Sequence, residues 1–330
     1  MTNQYIDGRE AMRRMDEWGV QKKPFLFLID FEGTECLVLP LDEIDPEVLG
    51  YDFRGMTNWR EQDTAPLPPL EWNPQPETYE TYRQSFDYVF EQLHAGNSFL
   101  TNLTVATPVR TNWSLRQIFH AARAPYRLWL KDRFVVFSPE IFVQVAEGKI
   151  RSFPMKGTLD ARLPNAWELL RNDPKERAEH ATITDLIRND LSRVAEQVTV
   201  ERYAYIDEIP THRGPLLQMS SEIVGTLTPE YQNRLGSMLF ELLPAGSITG
   251  APKKKTVEII RTAEHYERGF YTGVMGIFDG EHLDSAVMIR FVEQMPDGSF
   301  CYKSGGGITF QSEPDKEYQE VIQKIYVPIH

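Results

Sequence analysis

Residues 24–40 read PFLFLIDFEGTECLVLP, two apolar runs on either side of the short polar stretch Glu32-Gly33-Thr34. Apolar runs that flank a turn containing glycine are typical of a β-hairpin. Beyond this hairpin, strand-like and helix-like stretches occur in blocks and do not alternate regularly. This order favours an α+β fold with largely antiparallel sheets over a Rossmann-like fold.

Three long helices are predicted from periodicity and capping signals. Over residues 78–94 the apolar side chains recur at helical spacing. A second helix is expected over residues 174–194, where Asp173 is the N-cap and Pro174 takes the first helical position. The last begins in the capping pattern near Ser312 and runs to about Ile325.

A proline-rich segment indicates where the chain divides. Residues 64–76 read TAPLPPLEWNPQP, and their five prolines favour an extended crossover. We therefore expect a short N-terminal subdomain over residues 1–76 that completes the sheets, and a main domain over residues 77–330.

Composition narrows the class of protein. A chain of 330 residues that is 41% hydrophobic can bury a large core, whereas a net charge of −13 disfavours binding to nucleic acid or to an anionic membrane. The N-terminus has no apolar signal core, and no stretch approaches the ~18 apolar residues of a membrane span, so we expect a cytoplasmic protein. Cys36 and Cys301 lie far apart in strand-like runs and are expected to be buried thiols.

Two pairs of glutamates share an i,i+3 spacing and therefore lie on one helical face each. They are Glu176 with Glu179, and Glu317 with Glu320. Four carboxylate oxygens of this kind could converge on Mg²⁺, which prefers hard oxygen ligands. The alternative from spacing alone is two solvated helix faces that complement the helix dipole.

Two further segments suit an anionic ligand. LLPAGSITGAPKKKTVEII (242–260) places a turn rich in glycine and hydroxyl groups before a helix, although it does not fit a nucleotide P-loop. The glycines of Ser304-Gly305-Gly306-Gly307 would let backbone amides approach a carboxylate closely. A tight turn with solvated lysines and a simple loop are the respective alternatives.

Two further candidates lie at the ends of strand-like runs: Lys156 follows one such run, and Glu140 ends another. Lys156 stands before a glycine in SFPMKGT (152–158), and Glu140 closes FVVFSPE (134–140). Taken alone, Lys156 would be read as a surface residue, and the position of Glu140 at the end of a strand would support no interpretation.

Together these segments resemble the chorismate-utilising enzyme family, whose members include the large subunits of anthranilate and aminodeoxychorismate synthases and the isochorismate and salicylate synthases. The resemblance covers roughly residues 78–326 and implies a β-sandwich flanked by helices. Eight blocks occur in family order: FSPE (137–140), PMKGT (154–158), ERAEHATITDLIRNDLSRV (176–194), PAGSITGAPK (244–253), RGFYTGVMGIF (268–278), DSAVMIR (284–290), SGGGI (304–308) and EYQEVIQK (317–324).

The resemblance also implies a role for each candidate residue. Glu179 and Glu320 match the direct Mg²⁺ ligands, with Glu176 and Glu317 acting through water. Glu140 matches the general acid that protonates the departing ring hydroxyl of chorismate. The residues that match substrate-binding positions are Tyr271, Arg290, Lys324, Gly306, Gly307, Ser247 and Thr249.

Within the family, Lys156 favours the aminodeoxychorismate synthases, because anthranilate synthases typically carry alanine at that position. The resemblance implies that Lys156 attacks ring carbon 2 as the hydroxyl leaves carbon 4, and that ammonia then adds at carbon 4 and expels the lysine. The strand SFLTNLT (98–104) lacks the lysine base of isochorismate and salicylate synthases, so water is not the expected nucleophile. Competing interpretations are an anthranilate synthase component and a non-catalytic scaffold that binds a partner.

Departures from the family pattern bear on regulation and on proton transfer. Gln218 stands where many relatives have histidine, and glutamine cannot titrate. The N-terminal region is shorter than in typical relatives and lacks their tryptophan-pocket segment, so feedback by tryptophan is not expected.

The nitrogen source is expected to be external. Neither Cys36 nor Cys301 sits in the glycine-flanked turn that a glutaminase nucleophile needs. Ammonia would therefore come from solution or from a separate glutamine amidotransferase subunit, and a downstream aminodeoxychorismate lyase would complete the conversion to 4-aminobenzoate.

Overall fold

The computed structural model describes residues 5–59, 67–209 and 214–329. The chain forms two compact units, each built from three separate segments. The first unit comprises Met1–Pro40, Glu140–Ser247 and Val274–Val287, and the second comprises Leu41–Pro139, Ile248–Gly273 and Met288–His330. The domain boundary expected after residue 76 stays a prediction, and residues 64–66 of the proline-rich segment lie outside the described residues.

Eight α-helices form over the described residues. The predicted helices at 78–94, 174–194 and 312–325 are observed as α2, α5 and α8. Thr78 and Asp173 cap α2 and α5 with their side chains, as their residue types favour. The helices are α1 (Gly8–Val20), α2 (Tyr79–His94), α3 (Leu115–Ala121), α4 (Ala166–Asn172), α5 (Pro174–Leu191), α6 (Leu235–Leu242), α7 (Lys253–Ala263) and α8 (Pro314–Gln323).

The capping of α8 differs from the pattern expected at Ser312. Its N-cap is Glu313, which makes no side-chain capping bond, and Pro314 occupies the first turn. The Ser312 hydroxyl instead accepts from the Thr309 backbone amide at 3.1 Å. The N-cap is therefore one residue later than a Ser312 cap would give.

Eighteen strands form over the same described residues. They are β1 (Phe25–Ile29), β2 (Cys36–Pro40), β3 (Leu49–Phe53), β4 (Met56–Thr57), β5 (Trp72–Pro74), β6 (Leu100–Thr111), β7 (Tyr126–Leu130), β8 (Phe134–Ser138), β9 (Ile141–Ala146), β10 (Lys149–Ser152), β11 (Met155–Asp160), β12 (Ala195–Ile209), β13 (Leu216–Leu227), β14 (Gly250–Ala251), β15 (Val274–Phe278), β16 (Leu283–Val287), β17 (Phe291–Gln294) and β18 (Phe300–Ile308).

The first unit is built on a nine-stranded antiparallel sheet. Its strand order is β11-β13-β10-β9-β16-β15-β1-β2, and β12 also pairs with β13. The hairpin predicted at residues 24–40 is present, because β1 pairs antiparallel with β2 from Phe25 opposite Pro40 to Ile29 opposite Cys36. Cys36 is buried, and burial raises the pKa of its thiol to about 12.

The second unit is built on another nine-stranded antiparallel sheet. Its order is β14-β6-β18-β17-β8-β7-β3-β4, and β5 pairs with β6. The long pairing of β6 with β18 sets Gly306 opposite Leu103 and Gly307 opposite Asn102. With two large antiparallel sheets and eight helices over the described residues, the chain has the α+β fold that the sequence predicts, while the packing of the sheets as a sandwich stays a prediction.

A cluster of buried side chains fixes the helices of the second unit on its sheet. The predicted apolar face of α2 supplies Tyr82, Phe86 and Val89, which are almost completely buried. They pack with residues of α7, α8, β6 and β18 in one core. Burial of this size, worth roughly 1.5–3 kcal/mol for each large apolar side chain, holds the helices that carry the polar residues described below.

None of the helices in the described ranges is both long and apolar enough to cross a lipid bilayer. Cys301 in β18 is also buried, and burial raises its thiol pKa to about 11. Both cysteines are therefore buried thiols, as predicted.

Candidate active site

Lys156 lies on β11 of the first unit, at a break in strand pairing. It stands opposite Met219 of β13, and the register shifts between Lys156 and Thr158. Gly157 at the break has φ +78°, a conformation that glycine adopts without strain. The Lys156 side chain is 28% exposed, and its Nζ lies 3.9 Å from Oε2 of Glu179. The local bulge thus places the Lys156 amine beside a carboxylate on α5.

The carboxylates of α5 share one environment rich in charge. A Cβ atom added at Gly157 would lie only 2.9 Å from Oε2 of Glu176, so this glycine leaves the space that the carboxylate uses. Burial and the neighbouring Glu179 carboxylate raise the pKa of Glu176. A second lysine, Lys175, places its Nζ 3.7 Å from Glu179. The predicted shared face of Glu176 and Glu179 is therefore present, and Lys175 is a neighbour that spacing did not reveal.

Glu140 lies immediately before β9 and is half-buried. Its backbone carbonyl accepts from the Val287 amide at 3.1 Å, and its carboxylate accepts a short hydrogen bond from the Ser247 hydroxyl. Both residues line a cavity of about 20 Å³, enough for one water-sized molecule, together with Asp190 of α5. The structure thus brings together two residues that the sequence placed in separate motifs.

In the second unit, α8 presents its carboxylates to the glycine segment of β18. A Cβ atom at Gly306 would lie 3.4 Å from Oε1 of Glu320 and 3.5 Å from Oε2 of Glu317. Lys324 donates from Nζ to Oε1 of Glu320 at 2.6 Å and to the Gly305 carbonyl at 2.8 Å. A Cβ at these distances would make ordinary van der Waals contact, so the backbone at Gly306 lies close to both carboxylates.

Arg290 and Tyr271 lie on the segments around β17 of the second unit. Arg290 has a left-handed backbone, φ +56°, and its carbonyl accepts from the Phe137 amide at 3.1 Å. Its guanidinium carbon lies 5.3 Å from the ring centroid of Tyr326, within the range of a cation–π contact. Tyr271 is 3% exposed, and burial raises the pKa of its hydroxyl. Both side chains are held by packing.

Thr249 is completely buried, and its carbonyl accepts from the Asn102 amide at 2.9 Å. This hydrogen bond attaches the turn that carries Thr249 to β6 at Asn102. Gln218, the residue at a histidine position of many relatives, stands opposite Thr158 in the β11–β13 pairing. It belongs to the same strand pair as Lys156.

Within the described ranges, no set of three or more His, Cys, Asp or Glu side chains is gathered as metal ligands. Each unit nevertheless offers a pair of carboxylates with hard oxygen donors, of the type that Mg²⁺ prefers. In the second unit, the absence of a side chain at Gly306 leaves the backbone next to the Glu317 and Glu320 carboxylates.

The sequence as a whole matches a known family. Residues 42–330 match the family described as chorismate binding enzyme. The chain belongs to this family. As a member, it is a chorismate-utilising enzyme.

Individual relatives of the chain agree with this family assignment. A protein of Pasteurella multocida named as an uncharacterised PabA-like protein is 49% identical over 96% of this chain and 98% of its own length. Aminodeoxychorismate synthase component 1 of Klebsiella aerogenes is 33% identical over 84% of this chain and 64% of its own length. The menaquinone-specific isochorismate synthase of Escherichia coli is 16% identical with a TM-score of 0.72, over 96% of this chain and 80% of that one, a likeness of fold.

Proposed function

We propose that this enzyme is an aminodeoxychorismate synthase component that replaces the ring hydroxyl of chorismate with an amino group. The observation that carries the proposal is Lys156, whose partly exposed amine lies 3.9 Å from the Glu179 carboxylate. Similarity to aminodeoxychorismate synthase component 1 supports it. The product, 4-amino-4-deoxychorismate, would lead to 4-aminobenzoate and folate.

The amination runs in two displacements. The neutral Lys156 amine forms a bond to ring carbon 2, the double bonds shift, and the hydroxyl leaves carbon 4 as water with a proton from Glu140. Ammonia then forms a bond to carbon 4, the double bonds shift back, and the lysine leaves carbon 2. The net reaction consumes chorismate and ammonia and releases the amine and water. The cavity beside Glu140 has room for one molecule of the size of ammonia.

Glu140 is the proposed proton donor because it lies half-buried beside a cavity with room for one small molecule, and the Ser247 hydroxyl holds its carboxyl group in place. Glu179 has a different place in the proposal, because it is both the neighbour of the Lys156 amine, at 3.9 Å, and a proposed metal ligand.

Magnesium would supply charge that holds the ring carboxylate of chorismate. We propose Glu179 and Glu320 as its direct ligands, and Glu176 and Glu317 as residues that act through bound water. Glu317 and Glu320 support this role because both lie close to the backbone at Gly306.

Cationic and polar groups of the second unit would bind the substrate carboxylates. Lys324 and Arg290 offer charge-assisted hydrogen bonds, and the backbone amides near Gly306 and Gly307 can approach closely because no side chain intervenes. We propose that Tyr271, Thr249 and Ser247 also contribute to substrate binding. These groups explain how an acidic protein binds an anion.

The nitrogen would reach the enzyme as ammonia. We propose that a separate glutamine amidotransferase subunit supplies it in the cell and that an aminodeoxychorismate lyase consumes the product. Buried cysteines with raised pKa values are poor nucleophiles, which supports a separate glutaminase.

The decisive experiment incubates the purified chain with chorismate and Mg²⁺ and identifies the product by mass spectrometry. With ammonium salts we expect 4-amino-4-deoxychorismate, converted to 4-aminobenzoate when a lyase is added. With glutamine as the only nitrogen source we expect no product. Release of pyruvate with formation of anthranilate in the absence of lyase would instead identify an anthranilate synthase, and no turnover with any donor would favour a scaffold.

A further inference from the structure

A buried ion pair lies next to the substrate-binding candidates of the second unit and has no role in the reaction described above. Glu264 and Arg268 are each only 2% exposed in their side chains. Arg268 donates from Nε to Oε2 of Glu264 at 2.9 Å and from Nη2 to Oε1 at 2.7 Å. This two-pronged contact fixes the plane of the guanidinium group.

Glu264 is itself fixed by β6. The Thr104 backbone amide and its hydroxyl both donate to Oε1 of Glu264, each at 2.8 Å. Burial lowers the pKa of Arg268 while the Glu264 carboxylate raises it, and the net shift is upward. The pair is therefore charged and anchored to the strand that faces the glycine segment of β18.

The remaining donors of Arg268 reach three other segments. Nη1 donates to the Ile248 carbonyl at 2.9 Å and to the Thr272 hydroxyl at 3.3 Å, and Nη2 donates to the Asn102 carbonyl at 2.7 Å. Ile248 immediately precedes Thr249, and Thr272 immediately follows Tyr271. The Arg268 guanidinium group thus contacts the residue before Thr249 and the residue after Tyr271, and both Thr249 and Tyr271 are substrate-binding candidates.

A buried lysine holds the main chain of the same turn. Lys303, 3% exposed, donates from Nζ to the carbonyl of Arg268 at 2.9 Å and forms an ion pair with Glu293 at 2.6 Å. The Arg268 carbonyl also accepts from the Tyr271 amide at 3.1 Å. Thr272 adopts a left-handed backbone, φ +63°, which is costly for a β-branched residue and sets the direction of the chain after Tyr271.

We propose that Glu264 and Arg268 are positioning residues for chorismate binding: the pair sets the placement of Tyr271 and Thr249. The inference rests on the proposed function, and it assigns a role to residues that touch neither substrate nor reacting atoms. The physical reason is that a buried charged pair tolerates one geometry, because every donor left without its acceptor would cost the full desolvation of that group. Small displacements of a binding group have large effects on binding of a transition state or substrate.

The first test replaces the planar guanidinium group of Arg268 by the ammonium group of lysine. Arg268→Lys keeps the positive charge but cannot bond Glu264, Ile248 and Asn102 together. We expect the KM and the equilibrium dissociation constant for chorismate to rise about 10-fold or more, with kcat within about 3-fold of the original. The matched control is Arg83→Lys, which alters an exposed i,i+4 ion pair with Asp87 on α2 and should leave KM unchanged.

A second pair of variants serves if Arg268→Lys does not fold. Thr272→Ala removes the hydroxyl that accepts from Arg268, and Thr272→Ser restores it. We expect Thr272→Ala to raise the KM for chorismate and Thr272→Ser to recover the original value at equal melting temperature. If the variants melt earlier but bind chorismate as the original chain does, the pair is only structural and the proposal fails.

The outcome is separable from that of the proposed function. Binding of chorismate by the original chain without amination would overturn the aminodeoxychorismate assignment, and the dissociation constants of the variants would still decide the positioning role. Binding unaffected by Arg268→Lys in an active enzyme would overturn the positioning role alone.

Discussion

Lys156 and Lys324 have equally exposed side chains, 28% in each case, yet the structure holds them very differently. The Lys324 amine makes hydrogen bonds of 2.6 and 2.8 Å to Glu320 and Gly305. The Lys156 amine lies 3.9 Å from Glu179, beyond hydrogen-bonding distance. Exposure alone therefore does not separate a lysine held by two hydrogen bonds from one held by a longer ion-pair contact.

The difference follows from where each lysine sits. Lys324 caps α8 one turn after Glu320, so the helix itself delivers its amine to the carboxylate. Lys156 lies on a strand beside a glycine bulge, and its carboxylate partner belongs to a helix 23 positions later in the chain. We expect the loss of the first to weaken binding and the loss of the second to stop the reaction.

The largest expected effect is that of Lys156→Ala. It should lower formation of the amine at least about 10³-fold, because no other group then forms the bond to carbon 2. A partly exposed lysine adds little to the core, so the free energy of unfolding should change by less than ~1 kcal/mol. Rates are measured by product formation with ammonium, and stability by urea titration.

Lys175→Ala is the matched control for that variant, because Lys175 also lies beside Glu179, at 3.7 Å. Its activity should stay within about 2-fold of the original. A covalent adduct on Lys156, trapped with chorismate when ammonia is withheld, would support the mechanism directly. Full activity of Lys156→Ala would remove both the covalent role and the reason for preferring amination at carbon 4.

Removal of the metal should have the next largest effect. Treatment with EDTA, or Glu320→Ala, should lower turnover at least about 10²-fold, because the carboxylates alone would repel the substrate carboxylate. Readdition of Mg²⁺ should restore the treated enzyme but not the variant. Glu313→Ala, at the N-cap of the same helix, is the control, since Glu313 is exposed and forms an ion pair with Lys316 at 2.6 Å. Activity that survives EDTA would contradict the proposed magnesium site.

Lys324→Met should have a smaller effect of a different kind. Loss of one charge-assisted hydrogen bond to the substrate should raise the KM for chorismate about 10- to 100-fold. The kcat at saturating chorismate should change much less than in Lys156→Ala. If instead kcat falls and KM is unchanged, the contrast between the two lysines is wrong.

The sequence predicted those features that short-range patterns determine. The faces of α2 and α5 and the carboxylate pair of α5 follow from periodicity and from the Asp173 cap. Helix α6 was not predicted, because LGSMLFEL is apolar on several faces and short apolar runs do not separate helix from strand. Helix α3 carries a capping box at Ser114 and Gln117, a local signal that could have identified it.

Contacts between segments that are distant in the sequence could not be predicted from short-range patterns. The family resemblance pointed to Lys156 and Glu179 as functional candidates, but their proximity depends on how β11 meets α5. The bonds of Arg268 to Ile248 and Asn102 join positions 20 and 166 residues apart, and no local pattern encodes them. Such contacts are set by tertiary packing.

The smallest expected effect concerns the surroundings of Lys324 at acid pH. The chain after α8 packs against the segment that follows α3. Ala122 and Ile329 form an isolated antiparallel β-bridge, and the Arg123 amide donates to the Pro328 carbonyl at 2.7 Å. Burial, with Arg116 and Arg127 nearby, lowers the pKa of His120 on α3 below its usual value. The unfolded chain therefore binds a proton near pH 6.5 that the folded chain resists. Stability is full above that pH and falls as pH decreases through it.

His120→Gln should flatten this fall, because glutamine cannot take up the proton. We expect the melting temperature of the original chain to drop more steeply between pH 7.5 and 5.5 (about one pH unit either side of the ordinary histidine pKa) than that of the variant. His282→Gln is the control, since His282 is exposed beside Asp279 in the first unit. The kinetics of Lys324→Met and Lys156→Ala should therefore be compared above pH 7.5, where protonation of His120 does not lower the stability of the chain. Parallel melting curves for the original chain and His120→Gln would show that this histidine does not limit the stability of the second unit in acid.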